Sequence, residues 1–182
     1  MNKAIGMVEY STVSTGMQAA DVIVKTADVE IIEASTVCPG KYMVIFAGEI
    51  SAVKAAVDSC TTKYSAKLID SFVLGNPHKD LLPAICGATE VSNVEALGVF
   101  ETYSAAAAVV AADNTVKTSM VQLIEVRLAR GMCGKSYMLL TGTVASVTAA
   151  IENAKKAVGD SGLLLDWSVI PNPDPSIWDS IL

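Results

Sequence analysis

The four cysteines of this 182-residue chain, Cys38, Cys60, Cys86 and Cys133, are spaced by 22, 26 and 47 residues. Those spacings match neither C-x-x-C nor a zinc-finger pattern, so no local metal site is written into the chain. One cysteine stands apart by its setting. In TVCPGKYMV, Thr36 to Val44, Cys38 sits against Pro39 and Gly40 between two runs that read as strands. Pro39 fixes its own φ and offers no N–H, while Gly40 permits close backbone approach, and together they favour a stiff, narrow turn. A thiol on such a tip is oxidisable and able to bind metal. Its alternative is a surface thiol without a role.

Other chemistry is sparse. The single histidine, His78, follows Asn76-Pro77 and reads as a solvated loop residue, so no nucleophile–base pair can be assembled. No G-x-S-x-G or G-x-x-x-x-G-K-[ST] is present. GMCGKS, Gly131 to Ser136, is too short for a phosphate loop and joins two strands, where a phosphate loop joins strand to helix. Hydrolase and nucleotide-binding readings lack their residues, and the expectation is a protein that is not an enzyme.

With 13 Lys plus Arg against 19 Asp plus Glu, a net charge of −6 and a pI near 4.7, the chain has no footprint for nucleic acid. The longest apolar run, Ala105 to Ala112, is far below the ~18 residues of a membrane span. The opening MNKAIGMVEY lacks the pattern of a secretory signal, and a cytoplasmic protein is expected. At 52% hydrophobic and 18% charged, the chain has more apolar surface than small domains hide internally, which points to subunit contacts.

The elements that must position Cys38 occur twice. AIGMVEYS at Ala4 returns as ALGVFETYS at Ala96, and the same offset of 92 sets Ala20, Asp21 and Lys25 over Ala112, Asp113 and Lys117. The offset grows to 94 at Gly40-Lys41 over Gly134-Lys135, and to 96 at Asn76-Pro77 over Asn172-Pro173. This is a tandem duplication of a ~90-residue unit, divided as residues 1–93 and 94–182. Each copy reads as βαββαβ. In the first, Ala4 to Glu9 is a strand, and Ser14 to Ala27 a helix with Ser14 as N-cap and Met17, Ala20, Val24 and Ala27 inward. Val29 to Ala34 and Lys41 to Ala47 form a hairpin around Cys38, Ile50 to Tyr64 a second helix, and Lys67 to Leu74 a fourth strand. The fold class is α+β, ferredoxin-like, each antiparallel sheet carrying its helices on one face. A short tail, PNPDPSIWDSIL, is expected to cover an apolar edge with Ile177 and Trp178.

The opening AIGMVEY, the helical A-D-x-x-x-K, the G-K after the hairpin loop and the closing V-I-P-N-P resemble bacterial microcompartment shell proteins, over essentially the whole chain and in both copies. The resemblance implies two tandem BMC domains, flat hexagonal tiling, and a homotrimer that imitates a hexamer with its hairpin loops lining a central pore. It places the protein in the shell of a cytoplasmic microcompartment among neighbouring BMC shell proteins. In members with CPGK in the first copy, it implies that the loop cysteine, here Cys38, binds a [4Fe-4S] cluster shared by three subunits, serving electron transport to a lumen or cytosolic redox protein.

Clusters take thiolates, usually four, and closed cyclic symmetry turns one cysteine per subunit into three. Pro39 and Gly40 then shape the loop, and one iron is left to water or an external donor. Cys133 occupies the second copy's loop one residue out of register, as an auxiliary ligand or redox partner at most. Cys60 and Cys86 read as buried packing. Arg130 reads as an interface or solvated charge. Lys25 and Lys117 resemble plate-edge lysines and also suit helix C-termini. Many relatives carry arginine where this chain has Asn76 and Asn172. Two alternatives remain open on sequence grounds: a pore for metabolites or ions with Cys38 as gate or bystander, and a soluble cluster-dependent oxidoreductase.

Overall fold

The computed structural model describes residues 3–159 and 161–182. In the first repeat, β1 (Ala4–Tyr10), α1 (Val13–Thr26), β2 (Val29–Val37), β3 (Lys41–Gly48), α2 (Ile50–Lys63) and β4 (Leu68–Leu74) follow in the expected order. A short helix, α3 (Leu81–Cys86), comes before the second repeat of β5 (Ala96–Thr102), α4 (Ala105–Thr118), β6 (Gln122–Arg127), β7 (Ser136–Gly142), α5 (Val144–Val158) and β8 (Leu164–Ile170). The chain closes with α6 (Pro175–Ile181). The sheets run β2-β3-β1-β4 and β6-β7-β5-β8, and every paired strand is antiparallel.

Strand period decides the layers. Ala4, Val8 and Tyr10 of β1 join Tyr42, Val44 and Phe46 of β3 on the face that meets Ala19 and Ile23 of α1 and Val53, Ala56, Val57 and Cys60 of α2. Alternate residues share a face. Cys60 is buried as expected, and the Tyr10 hydroxyl donates to its carbonyl at 2.9 Å. Burial pushes the Cys60 thiol up from its usual range, so it stays protonated and inert.

α1 departs from the expected register. It starts at Val13 rather than after Ser14, with Thr12 at the cap position and its hydroxyl 2.9 Å from that of Thr15. Gly16, Ala19 and Ile23 face inward, whereas Met17 and Val24 are exposed at 56% and 46%. The helix is rotated by about one residue, ~100°. Gly16 is the reason: a Cβ placed there would lie 2.3 Å from Tyr42 Cβ, so the backbone of α1 rests directly on β3. A larger residue could not face that way.

Two departures concern the ends of the repeats. Cys86, expected to be buried, is exposed at the last position of α3, where Gly87 takes the left-handed conformation (φ 66°) that ends the helix. In the tail, Trp178 is buried on Leu97, Ile124 and Leu139, while Ile177 remains exposed. The tail thus covers the face of the second sheet with one of the two expected residues.

The molecule divides into two compact units that do not coincide with the sequence repeats. The first takes the chain up to Pro77 together with Ser104–Ala106 and Ala129–Gly134; the second takes His78–Tyr103, Ala107–Leu128 and Lys135–Leu182. Non-local contacts cause the exchange. Within the first unit, Ser104 Oγ donates to the Asp70 carboxylate, and the Cys38 N–H donates to the Ala129 carbonyl at 3.0 Å. Within the second, α3 lies against β6.

Under the first unit's loop, Glu9 is fully buried and pairs with Lys41 at 3.0 Å. Burial raises the Glu9 carboxyl above its ordinary pKa, and the Lys41 ammonium opposes that shift. A carboxyl raised on folding contributes its stability below the unfolded pKa, near 4.5, and loses it as pH rises through the folded value. Lys41→Met removes the opposing charge. Relative to wild type it is expected to cost little near pH 4 and about 3 kcal/mol near pH 7, read by urea denaturation across that range; a pH-independent loss contradicts the pairing. Gly16→Ala is expected to cost about 2 kcal/mol, with the denaturation midpoint shifted and the slope unchanged.

Candidate functional site

The β2–β3 hairpin is built to hold one thiol at its tip. β2 runs to Val37 and β3 starts at Lys41, paired through Val37↔Lys41, so only Cys38, Pro39 and Gly40 turn the chain. The Cys38–Pro39 peptide is cis, Gly40 has φ 97°, and the Gly40 N–H closes the turn on the Val37 carbonyl at 3.0 Å. No side chain could follow that φ without cost, which is why glycine stands there. Cys38 is a half-buried free thiol.

The walls around it come partly from the second repeat. Cys38, Pro39, Gly40, Thr36, Val37 and Val13 line an open depression of about 400 Å³ together with Arg130 and Gly131. Arg130 is held by an ion pair with Glu33, which also accepts from Ser35 Oγ at 2.6 Å. On the other side, a Cβ added at Gly134 would lie 3.0 Å from the Cys38 carbonyl oxygen and 3.1 Å from Lys41 Nζ. The loop around Gly134 therefore packs flat against the cysteine's own backbone. Two cationic side chains, Arg130 and Lys41, flank the hairpin tip, and each is paired with a carboxylate, Glu33 and Glu9, that holds the loop in place.

Cys133 is exposed in the left-handed region (φ 53°), as is the neighbouring Ala129 (φ 52°). It does not line the depression around Cys38. The two sulfurs are not joined in a disulfide. Among the described residues, no group of three or more His, Cys, Asp or Glu comes together as a metal site within one chain. Cys38 therefore qualifies in kind, as an accessible thiol on a rigid tip, and supplies one ligand only.

The other sequence-derived residues lie away from this loop. Lys25 is exposed at the end of α1 and pairs with Asp21 at 2.7 Å. Lys117, at the end of α4, pairs at 2.5 Å with Asp113, which is buried and also accepts the His78 N–H at 2.7 Å. His78 is therefore tied by its backbone, where a freely solvated loop was expected. Asn76 and Asn172 are both exposed, each beyond the last residue of its repeat's fourth strand. Sequence reasoning missed Glu33, Gly131 and Ala129 as parts of the Cys38 surroundings. The only signal for them was Arg130 beside the second loop.

The BMC-domain family matches residues 4–77 and again 96–173. The chain is 41% identical over 178 residues to the bacterial microcompartment shell protein PduT of Citrobacter freundii, spanning 98% of this chain and 97% of that one. It is 28% identical to the carboxysome assembly protein CcmO of Synechococcus elongatus, spanning 98% of this chain and 68% of that one. Among solved structures, a microcompartment protein from Desulfitobacterium hafniense superposes with a TM-score of 0.87 at 39% identity, over 98% of this chain and 99% of that one. Two matched domains, each with its four-stranded antiparallel sheet and helices, make this chain a tandem-domain member of the BMC family of microcompartment shell proteins.

Proposed function

We propose that this shell protein assembles as a homotrimer whose three Cys38 tips meet on the threefold axis and hold one [4Fe-4S] cluster, for one-electron transfer across the shell. The observation that carries the reading is the accessible Cys38 thiol on a three-residue turn, which among the described residues belongs to no group of three or more metal-ligating side chains. Three identical protomers around an axis supply three thiolates, and the fourth iron takes water or an external donor.

Each residue of the tip has a part. Cys38 contributes the ligand, Pro39 and Gly40 set the turn, and the Cys38 N–H bond to the Ala129 carbonyl fixes the direction from which the sulfur approaches. Arg130 and Lys41, paired with Glu33 and Glu9, brace the loops on either side of the tip. When bound, the cluster supplies a one-electron couple. Cys133 stays outside the ligand set. Lys25 and Lys117 serve the plate edge, with Asn76 and Asn172 near it, where other BMC shell proteins are the partners.

Anaerobic reconstitution with iron and sulfide is expected to give a brown protein with about four irons per trimer, four being the cluster's own count. Cys38→Ser is expected to abolish the colour, and Cys133→Ser to leave colour and iron unchanged. Wild-type protein that takes up neither iron nor sulfide would overturn the cluster and leave a pore with Cys38 at its rim. Lys25→Ala, in turn, is expected to weaken sheet formation seen by electron microscopy while leaving the trimer mass intact.

A further inference from the structure

Two of the four cysteines share one compact unit and both reach solvent: Cys38 is half-buried and Cys133 exposed. Cys60 is fully buried, and Cys86 belongs to the second unit. The segment that carries Cys133 touches the backbone of Cys38 at both of its ends. The Ala129 carbonyl accepts the Cys38 N–H at 3.0 Å, and a Cβ added at Gly134 would lie 3.0 Å from the Cys38 carbonyl oxygen. Cys133 immediately precedes that second contact. Standard backbone dimensions then hold the Cα atoms of Cys38 and Cys133 within about 11 Å of each other. A disulfide needs roughly 7 Å or less, so at most about 4 Å remains to be closed.

The segment can supply that movement. Residues 130–134 lie in no helix or strand. Gly131 and Gly134, with φ 72° and 88°, bracket Met132 and Cys133 and can change their backbone angles without a side chain to obstruct them. Cys133 holds φ 53° while carrying a side chain, so leaving that conformation relieves strain.

We infer that Cys38 and Cys133 form a redox pair, which a hydroperoxide converts to a disulfide within one chain whenever Cys38 holds no metal. One thiolate attacks the peroxide, the O–O bond breaks, and a sulfenic acid and one water result. The other thiolate then attacks that sulfur, the S–S bond forms, and a second water leaves. The two sulfurs give up two electrons and the hydroperoxide takes them. A dithiol reverses the step by exchange. The disulfide withdraws Cys38 from metal binding and shields it from irreversible oxidation. Both thiols belong to one protomer, so the inference needs neither the trimer nor the cluster proposed above.

The test uses the full-length protein, stripped of metal, reduced, and treated with one equivalent of hydrogen peroxide. Two of the four thiols are expected to disappear, with a single-chain band on a non-reducing denaturing gel and a linked peptide pair containing Cys38 and Cys133 by mass spectrometry. Dithiothreitol is expected to restore both thiols. In Cys133→Ser, Cys38 is expected to proceed to sulfinic acid, which dithiothreitol does not reverse. Wild-type protein that yields no Cys38–Cys133 linked peptide, whether its Cys38 joins two chains or stops as a sulfinic acid, overturns the pair. Iron uptake separates this result from the cluster reading. Reduced protein that forms the disulfide on oxidation yet takes up no iron and sulfide refutes the cluster and leaves the pair standing, whereas iron uptake without any linked peptide does the reverse.

Discussion

A single backbone hydrogen bond, from the Cys38 amide to the Ala129 carbonyl, ties together the tips of the two repeats and so governs where the only tip thiol of the first repeat can go. The rest of that neighbourhood is arranged around it. Arg130 reaches Glu33 on β2, Gly134 lets its loop lie within van der Waals reach of the Cys38 carbonyl, and Lys41 is anchored from below by buried Glu9. Each of these contacts joins residues far apart in sequence but few ångströms apart in space. Removing one loosens the frame in which the sulfur is held, because a narrow turn by itself fixes shape and leaves direction free.

The price of that frame falls on the second repeat. Ala129 and Cys133 both adopt left-handed backbone without being glycine, at a cost on the order of 1 kcal/mol each, and Gly131 and Gly134 take up the remaining left-handed positions. The two loops of the duplicated chain have accordingly diverged in role. One is a tight turn that presents a side chain. The other is a longer, contorted segment that presents its backbone carbonyl and an arginine.

Much of the fold was legible because the chain writes it twice: an apolar run such as Ala4 to Glu9, ambiguous alone, becomes a strand when it recurs with the same flanks at Ala96. The Cys38 tip was legible for a similar local reason, since Pro-Gly between two β-rich runs has few other readings. What could not be read were decisions made by distant residues. α1 has apolar side chains on more than one face, and its orientation is chosen by Gly16 against Tyr42, a contact across 26 positions of sequence in which the informative residue has no side chain at all. Cys86 looked like core because Ile85 is beside it, yet it falls at the end of a six-residue helix. The reassignment of Ala129–Gly134 to the first unit lay beyond any local pattern.

Cys38 has no cysteine opposite it in the second copy: Met132 stands at that position by the offset of 94. Tandem duplication therefore sets a dosage: in the trimer proposed above, sulfur at this position would stand on alternate domains only, and an odd-numbered donor set would become reachable in a ring of six like domains.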